Sequence, residues 1–291
     1  MTIDLRRFDG FIFDLDGTVY LGERLIKGAD EVIGELRRRG KRVLFVSNKP
    51  IATRESYAEK LTRLGIPTSP DEVINSSFVL VRYLKRMRPG AKVFPVGEKP
   101  FVEELERGGF TITDDPNQIE VVALAMDRTF DYRKLLIAYR AAIRGAFLIA
   151  TNPDPTCPMG DGEYPDCASI IAALEACSGR KVEVIVGKPS PIMLQEAMSY
   201  LNLPPERCLI AGDRLGTDIR MGKAAGIFTV LVLTGVTKRE DLERSEIKPD
   251  LVLEGIWQMR QWLASIRRPV SYTHLRAHET RHDLVCRLLL E

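Results

Sequence analysis

The sequence predicts an α/β protein, a Rossmann-like parallel sheet with an inserted α/β cap, and two observations lead there. Continuous apolar runs of strand length alternate with helical stretches, the pattern of a parallel sheet covered on both faces. Four of those runs end in polar residues just where a helix begins, and open α/β sheets bind ligands beyond the carboxyl ends of their strands.

The first run, 11–13, stops at Asp14, with Asp16 two positions on in FIFDLDGTVYLG. Carboxylates rarely enter a core unless something pairs with them. A helix at 29–39 closes at Gly40, a strand at 43–46 ends at Ser47 and Asn48, and a helix at 54–64 closes at Gly65. A strand at 182–186 ends at Gly187-Lys188, a helix opens at Pro191 and runs to 201, and a strand at 209–211 ends at Gly212-Asp213. A helix at 218–225, strands at 229–233 and 250–253 and a closing helix at 256–266 follow.

Asn48 and Lys188 lie 140 positions apart, far more than one crossover helix requires. Between them the alternation restarts, with strands at 91–96, 120–126 and 146–150 and helices at 101–107 and 132–144. The expected division is a discontinuous core of residues 1–75 and 181–268 and an inserted unit of 76–180. TNPDPTCPMGDGEYP, rich in Pro, Asp and Gly, reads as its return loop, where Asn152 and Asp154 either form turns or touch substrate.

The 291 residues suffice for two domains with a large buried core. With 42 basic against 40 acidic residues, nothing draws the whole chain to nucleic acid or an anionic membrane. The charged N-terminal stretch and the absence of a long apolar run point to a cytoplasmic protein. Five cysteines without a CxxC pair indicate neither a zinc site nor a disulfide framework. The three histidines, His274, His278 and His282, form a four-residue stripe with Cys286 beyond Pro269. That segment, 269–291, resembles tails appended to unrelated translated sequences and is read as non-native, so any acid, base or nucleophile upstream must be another residue type.

Taken together, Asp14, Asp16, Asp213 and Asp218 supply hard oxygens suited to magnesium, and Ser47, Asn48 and Lys188 supply donors suited to a phosphoryl group. DLDGT at 14–18, SN at 47–48, GKPSP at 187–191 and GDRLGTD at 212–218 resemble the four motifs of the haloacid dehalogenase superfamily, and their spacing resembles its NagD and 4-nitrophenylphosphatase branch. The resemblance implies a Mg2+-dependent phosphatase of small phosphorylated metabolites acting through an aspartyl-phosphate. Asp14 would be nucleophile and metal ligand, Asp16 acid and base with its carbonyl on the metal, and Asp213 a further ligand. Ser47, Asn48 and Lys188 would hold the phosphoryl group, with Arg214 and Thr217 bordering the substrate and Asp218 behind them, orienting Lys188 or a water. It also implies a cap closing over the site and a possible homodimer through that cap. Lys49 departs from the branch, which often has a small polar residue there; it either meets a second anionic group or points to solvent. The competing readings are a phospho-accepting signalling module without turnover and a phosphotransferase or mutase on the same scaffold.

Overall fold

The computed structural model describes residues 4–159 and 162–264; the histidine stripe, the proposed tail and the end of the closing helix lie outside them. In chain order the elements begin with β1 (Gly10–Asp14), a ribbon of β2 (Tyr20–Leu21) and β3 (Arg24–Leu25), α1 (Ala29–Arg38), β4 (Arg42–Ser47) and α2 (Arg54–Arg63). β5 (Val73–Asn75) and α3 (Ser76–Met87) lead into β6 (Lys92–Val96), α4 (Lys99–Arg107), β7 (Thr111–Ile112), β8 (Val121–Leu124), α5 (Tyr132–Ile143) and β9 (Phe147–Ala150). A hairpin of β10 (Thr156–Met159) and β11 (Gly162–Pro165), α6 (Cys167–Ser178) and β12 (Val184–Ile185) follow. The chain then makes α7 (Pro191–Leu201), β13 (Cys208–Gly212), α8 (Arg220–Ala224), β14 (Phe228–Val232), α9 (Arg239–Arg244), β15 (Leu251–Leu253) and α10 (Met259–Ala264).

Six parallel strands in the order β15-β14-β13-β1-β4-β5 form one sheet, and five in the order β12-β9-β8-β6-β7 form a second. This is the expected Rossmann-like α/β architecture. β1 lies between β4, which follows it in sequence, and β13, which comes after the second sheet, so the strand order reverses beside β1 and leaves a crevice at the carboxyl ends.

Alternation along the strands divides the core. Phe11, Phe13, Phe45 and Leu209 face one way and pack with Val32, Ile33 and Leu36 of α1 and Leu61 of α2. Ile12, Leu44, Val46 and Ile210 face the other way against Val79 and Leu80 of α3 and Leu194 and Ala197 of α7. That second cluster continues through Phe101 and Leu105 of α4 to Val93, Val121, Ala123 and Ile149 of the second sheet. Each buried Val, Leu, Ile or Phe among them contributes about 1.5–3 kcal/mol, so the two sheets are joined by apolar packing rather than by a bare linker.

Three details correct the sequence reading. The run 182–186, expected as a strand of the main sheet, pairs through Val184 and Ile185 with β9 at the edge of the second; an apolar run specifies a strand but not which sheet it joins. β5 was not anticipated; three residues, Val73 to Asn75, complete the edge of the main sheet. The helix expected from Asp218 begins instead as a π-helical turn, Leu215–Ile219, before α8.

Candidate active site

Asp14 is the last residue of β1, Ser47 the last of β4, and Asp213 follows the last residue of β13, so adjacent parallel strands bring all three to one edge. Lys188 arrives on the loop from β12 to α7 and is fully buried. Its Nζ donates to Asp14 Oδ1 at 2.5 Å and to Asp218 Oδ1 at 2.7 Å. Burial works against the ammonium, but the two carboxylates outweigh it and raise its pKa, so Lys188 stays charged.

The carboxylates carry the opposite burden. Burial pushes the Asp14 carboxyl well above its ordinary value; the pull of Lys188 is opposed by Asp218 and Asp213. Burial and the Asp218 charge move Asp213 up to about 6. Oxygens of Asp14, Asp213 and Asp218 lie within 4.8 Å of one another. With all three carboxylates ionised, the one ammonium would leave two negative charges, which a single divalent ion would offset.

The oxygens are not equally available. Asp218 Oδ2 accepts from the Arg214 backbone at 3.2 Å and from Thr217 Oγ1 at 3.4 Å, and its Oδ1 is held by Lys188. Asp213 Oδ2 accepts from Val236 N at 2.6 Å. Among the described residues, Asp14 Oδ2 has only a long bond from Thr18 at 3.4 Å. Thus Asp14 and Asp213 each keep an oxygen facing the cluster with little protein competition. Glycines make this packing possible: a Cβ at Gly17, whose φ is +86°, would come within 2.6 Å of Asp213 Oδ2, and one at Gly235 within 1.9 Å.

Asp16, half-buried and raised by burial despite the opposing Lys49 charge, lines the same cavity as Asp14, Ser47, Asn48, Lys188 and Asp213. Arg214 and Thr217 line it too, with Arg214 Nη1 3.8 Å from Asp154 Oδ1. The structure therefore gathers every residue that the sequence marked for this site.

Asn48 acts as a bracket. Its Nδ2 donates to Asp154 Oδ2 at 2.8 Å and to the Lys188 carbonyl at 3.0 Å, while its Oδ1 accepts from Lys188 N at 2.7 Å. Its own carbonyl accepts from Asn152 Nδ2 at 3.0 Å and from Ser76 Oγ. Asn152 also accepts from Asp154 N at 2.9 Å, so it both forms the turn and ties the loop to β4, while Asp154 faces the cavity.

Sequence reasoning missed Asp166, which caps α6 by accepting from Cys167 N, lines the cavity and is pushed by burial up to about 6. Its position before the apolar run CASIIAAL marks a helix start but not a cavity wall. Cys157 also lines the cavity, but burial pushes its thiol up to about 11, so it remains a thiol and no nucleophile.

The family model of haloacid dehalogenase-like hydrolases matches residues 11–111, and a second model of HAD-like hydrolases matches residues 185–259. The chain is 38% identical over 247 residues to the sugar-phosphatase AraL of Bacillus subtilis, covering 85% of this chain and 90% of that protein. It superposes on a 4-nitrophenylphosphatase from Thermotoga maritima with a TM-score of 0.85 at 36% identity, over 89% of this chain and 98% of the other. NagD from Escherichia coli K-12 gives a TM-score of 0.79 at 31% identity, over 86% and 98%.

Proposed function

The chain belongs to the haloacid dehalogenase superfamily, in its NagD and 4-nitrophenylphosphatase branch, and on that premise we propose that it hydrolyses small phosphomonoesters with Mg2+ through an aspartyl-phosphate on Asp14. It is a phosphoric monoester hydrolase. The observation that carries the mechanism is the Lys188 ammonium between Asp14 and Asp218, within a buried acidic cluster that shares one cavity with Asp16.

In this reading Asp14 and Asp213, with the carbonyl of Asp16, hold the metal, while the carboxylate of Asp218 is occupied by Lys188 and orients it. Mg2+ would offset the charge of the carboxylates and of the phosphoryl oxygens. Ser47 and the backbone of Asn48 receive the phosphoryl group, Lys188 neutralises its oxygens, and Arg214 and Thr217 border it. The Asp14 carboxylate attacks phosphorus; an O–P bond forms, the bond to the alcohol breaks, and Asp16 gives its proton to the departing oxygen. Water then attacks the same phosphorus and yields a proton to Asp16, the bond to Asp14 breaks, and inorganic phosphate leaves. Unaided monoester hydrolysis is slow enough to require up to about 10²¹-fold acceleration, so nucleophile, acid, cation and metal are all in proportion to the task.

The inserted segment serves as the cap, since Asp154, Cys157 and Pro158 reach the cavity from it. A homodimer through the cap is part of the same proposal. No helix among the described residues is long and apolar enough to cross a membrane, and we place the enzyme in the cytoplasm. The test is release of nitrophenol from 4-nitrophenyl phosphate: turnover is expected to require Mg2+, to stop on chelation, and to vanish in Asp14→Asn with an unchanged circular dichroism spectrum. Metal-independent turnover, or wild-type rates in that variant, would refute the proposal.

A further inference from the structure

Asp16 and Lys49 stand between two hollows. One is the cavity of Asp14 and Lys188; the other, about 430 Å3, lies beyond them and is walled by Tyr20, Tyr57 and Lys60, with Pro158 shared by both. The reacting phosphoryl group belongs at Asp14, so a leaving alcohol protonated by Asp16 departs on the side of the second hollow.

The charges at this junction are unevenly satisfied. The Lys49 side chain is only 15% exposed; its Nζ donates to a neutral acceptor, the Pro158 carbonyl at 3.1 Å, and forms an ion pair with Asp16 Oδ2 at 3.7 Å, too long for a hydrogen bond. An ammonium has three donors, so Lys49 can accept a further anionic partner without giving up the one it has. Tyr20 is fully buried in the wall, and its hydroxyl has no hydrogen-bond partner among the described residues; such groups ordinarily find one. Lys60 places its Nζ 3.9 Å from the Tyr20 ring centroid. The acidic groups on this wall besides Asp16 are Glu23 and Glu59, and Glu23 is already paired with Lys60 at 3.2 Å and Arg63 at 2.7 Å.

We propose that the second hollow receives the alcohol part of the substrate and that Lys49 selects phosphomonoesters whose alcohol carries a second anionic group, a carboxylate or another phosphate. The proposal rests on the phosphatase reading and narrows its substrate class. Lys49 is also held at both ends of its reach: Tyr57 Oη donates to its carbonyl at 2.9 Å, and the hairpin of β10 and β11 supplies the Pro158 acceptor, so the ammonium is positioned before substrate arrives.

The experiment compares kcat/KM of the full chain, with saturating Mg2+, in two matched pairs: 3-phosphoglycerate against glycerol 3-phosphate, and fructose 1,6-bisphosphate against fructose 6-phosphate. A preference of about tenfold or more for the anionic member of at least one pair is expected, the size of one added charged hydrogen bond. Lys49→Met should collapse that ratio, chiefly through KM of the anionic member, and Lys49→Arg should restore it; the pair that responds tells carboxylate from phosphate. Equal turnover within both pairs, or a Lys49→Met enzyme that slows both members alike, would overturn the inference and leave the phosphatase standing. Failure of wild type to hydrolyse any phosphomonoester would overturn both.

Discussion

Lys188 shows how a single buried charge organises the site. With Asp14 and Asp218 at 2.5 and 2.7 Å, Lys188→Met would leave two buried carboxylates facing each other, and breaking such a pair costs about 3–5 kcal/mol. The expected outcome in thermal unfolding is a large fall in Tm without metal and partial recovery in Mg2+, which supplies replacement charge; no change in Tm would contradict the pairing. Asp166 gives a prediction in pH. Burial raises its carboxyl from 3.8 to about 6, so the fold favours the neutral form: its contribution is full below about pH 4 and is lost as pH rises through about 6. Asp166→Asn, which keeps a capping oxygen but does not titrate, should match wild type near pH 4 and exceed it near pH 7 by on the order of 1–3 kcal/mol. Equal Tm differences at both pH values would refute it. Asp14, Asp16, Ser47, Lys188 and Asp213 were legible because polar residues ending apolar runs are conspicuous; Asp166 was not, because a cap looks the same whether it faces solvent or a cavity.

Among the elements, strand ends and the turns that leave them do the positioning. Val236 N grips Asp213 from the segment after β14, and that approach depends on Gly235, where any side chain would overlap the carboxylate. Gly235→Ala should therefore shift Asp213, lower kcat by at least about tenfold and raise the Mg2+ concentration needed for half-maximal rate, while the far side of the sheet keeps its packing. Measured kcat and Mg2+ titration check this, and wild-type values would show the contact to be dispensable. Sequence periodicity located the strands around this turn, since 228–232 and 251–253 lie within a residue or two of expectation. It misassigned 182–186, because pairing partners depend on distant segments: Val184 and Ile185 are in register with β9 of the second sheet. β5 escaped because three residues give too little periodicity to detect.

On the scale of the whole molecule, the apolar cluster shared by the two sheets matters more than either sheet's outline. Ile12, Val79, Phe101 and Val121 belong to one contiguous core, so the inserted segment is seated on the main sheet while its loops reach the cavity through Asp154, Cys157 and Pro158. In the proposed reading that arrangement would exclude water from the reacting group and leave the choice of alcohol to residues outside the four motifs. The central claim is that Asp14 carries the phosphoryl group, and trapping it is the most direct measurement. Rapid acid quench of Asp16→Asn with excess 4-nitrophenyl phosphate, whose phenolate departs without a proton, and Mg2+, followed by digestion and mass spectrometry of peptide 8–24, should show a single phosphate located on Asp14. A phosphate on another residue, or turnover with none on this peptide at any quench time, would contradict the account.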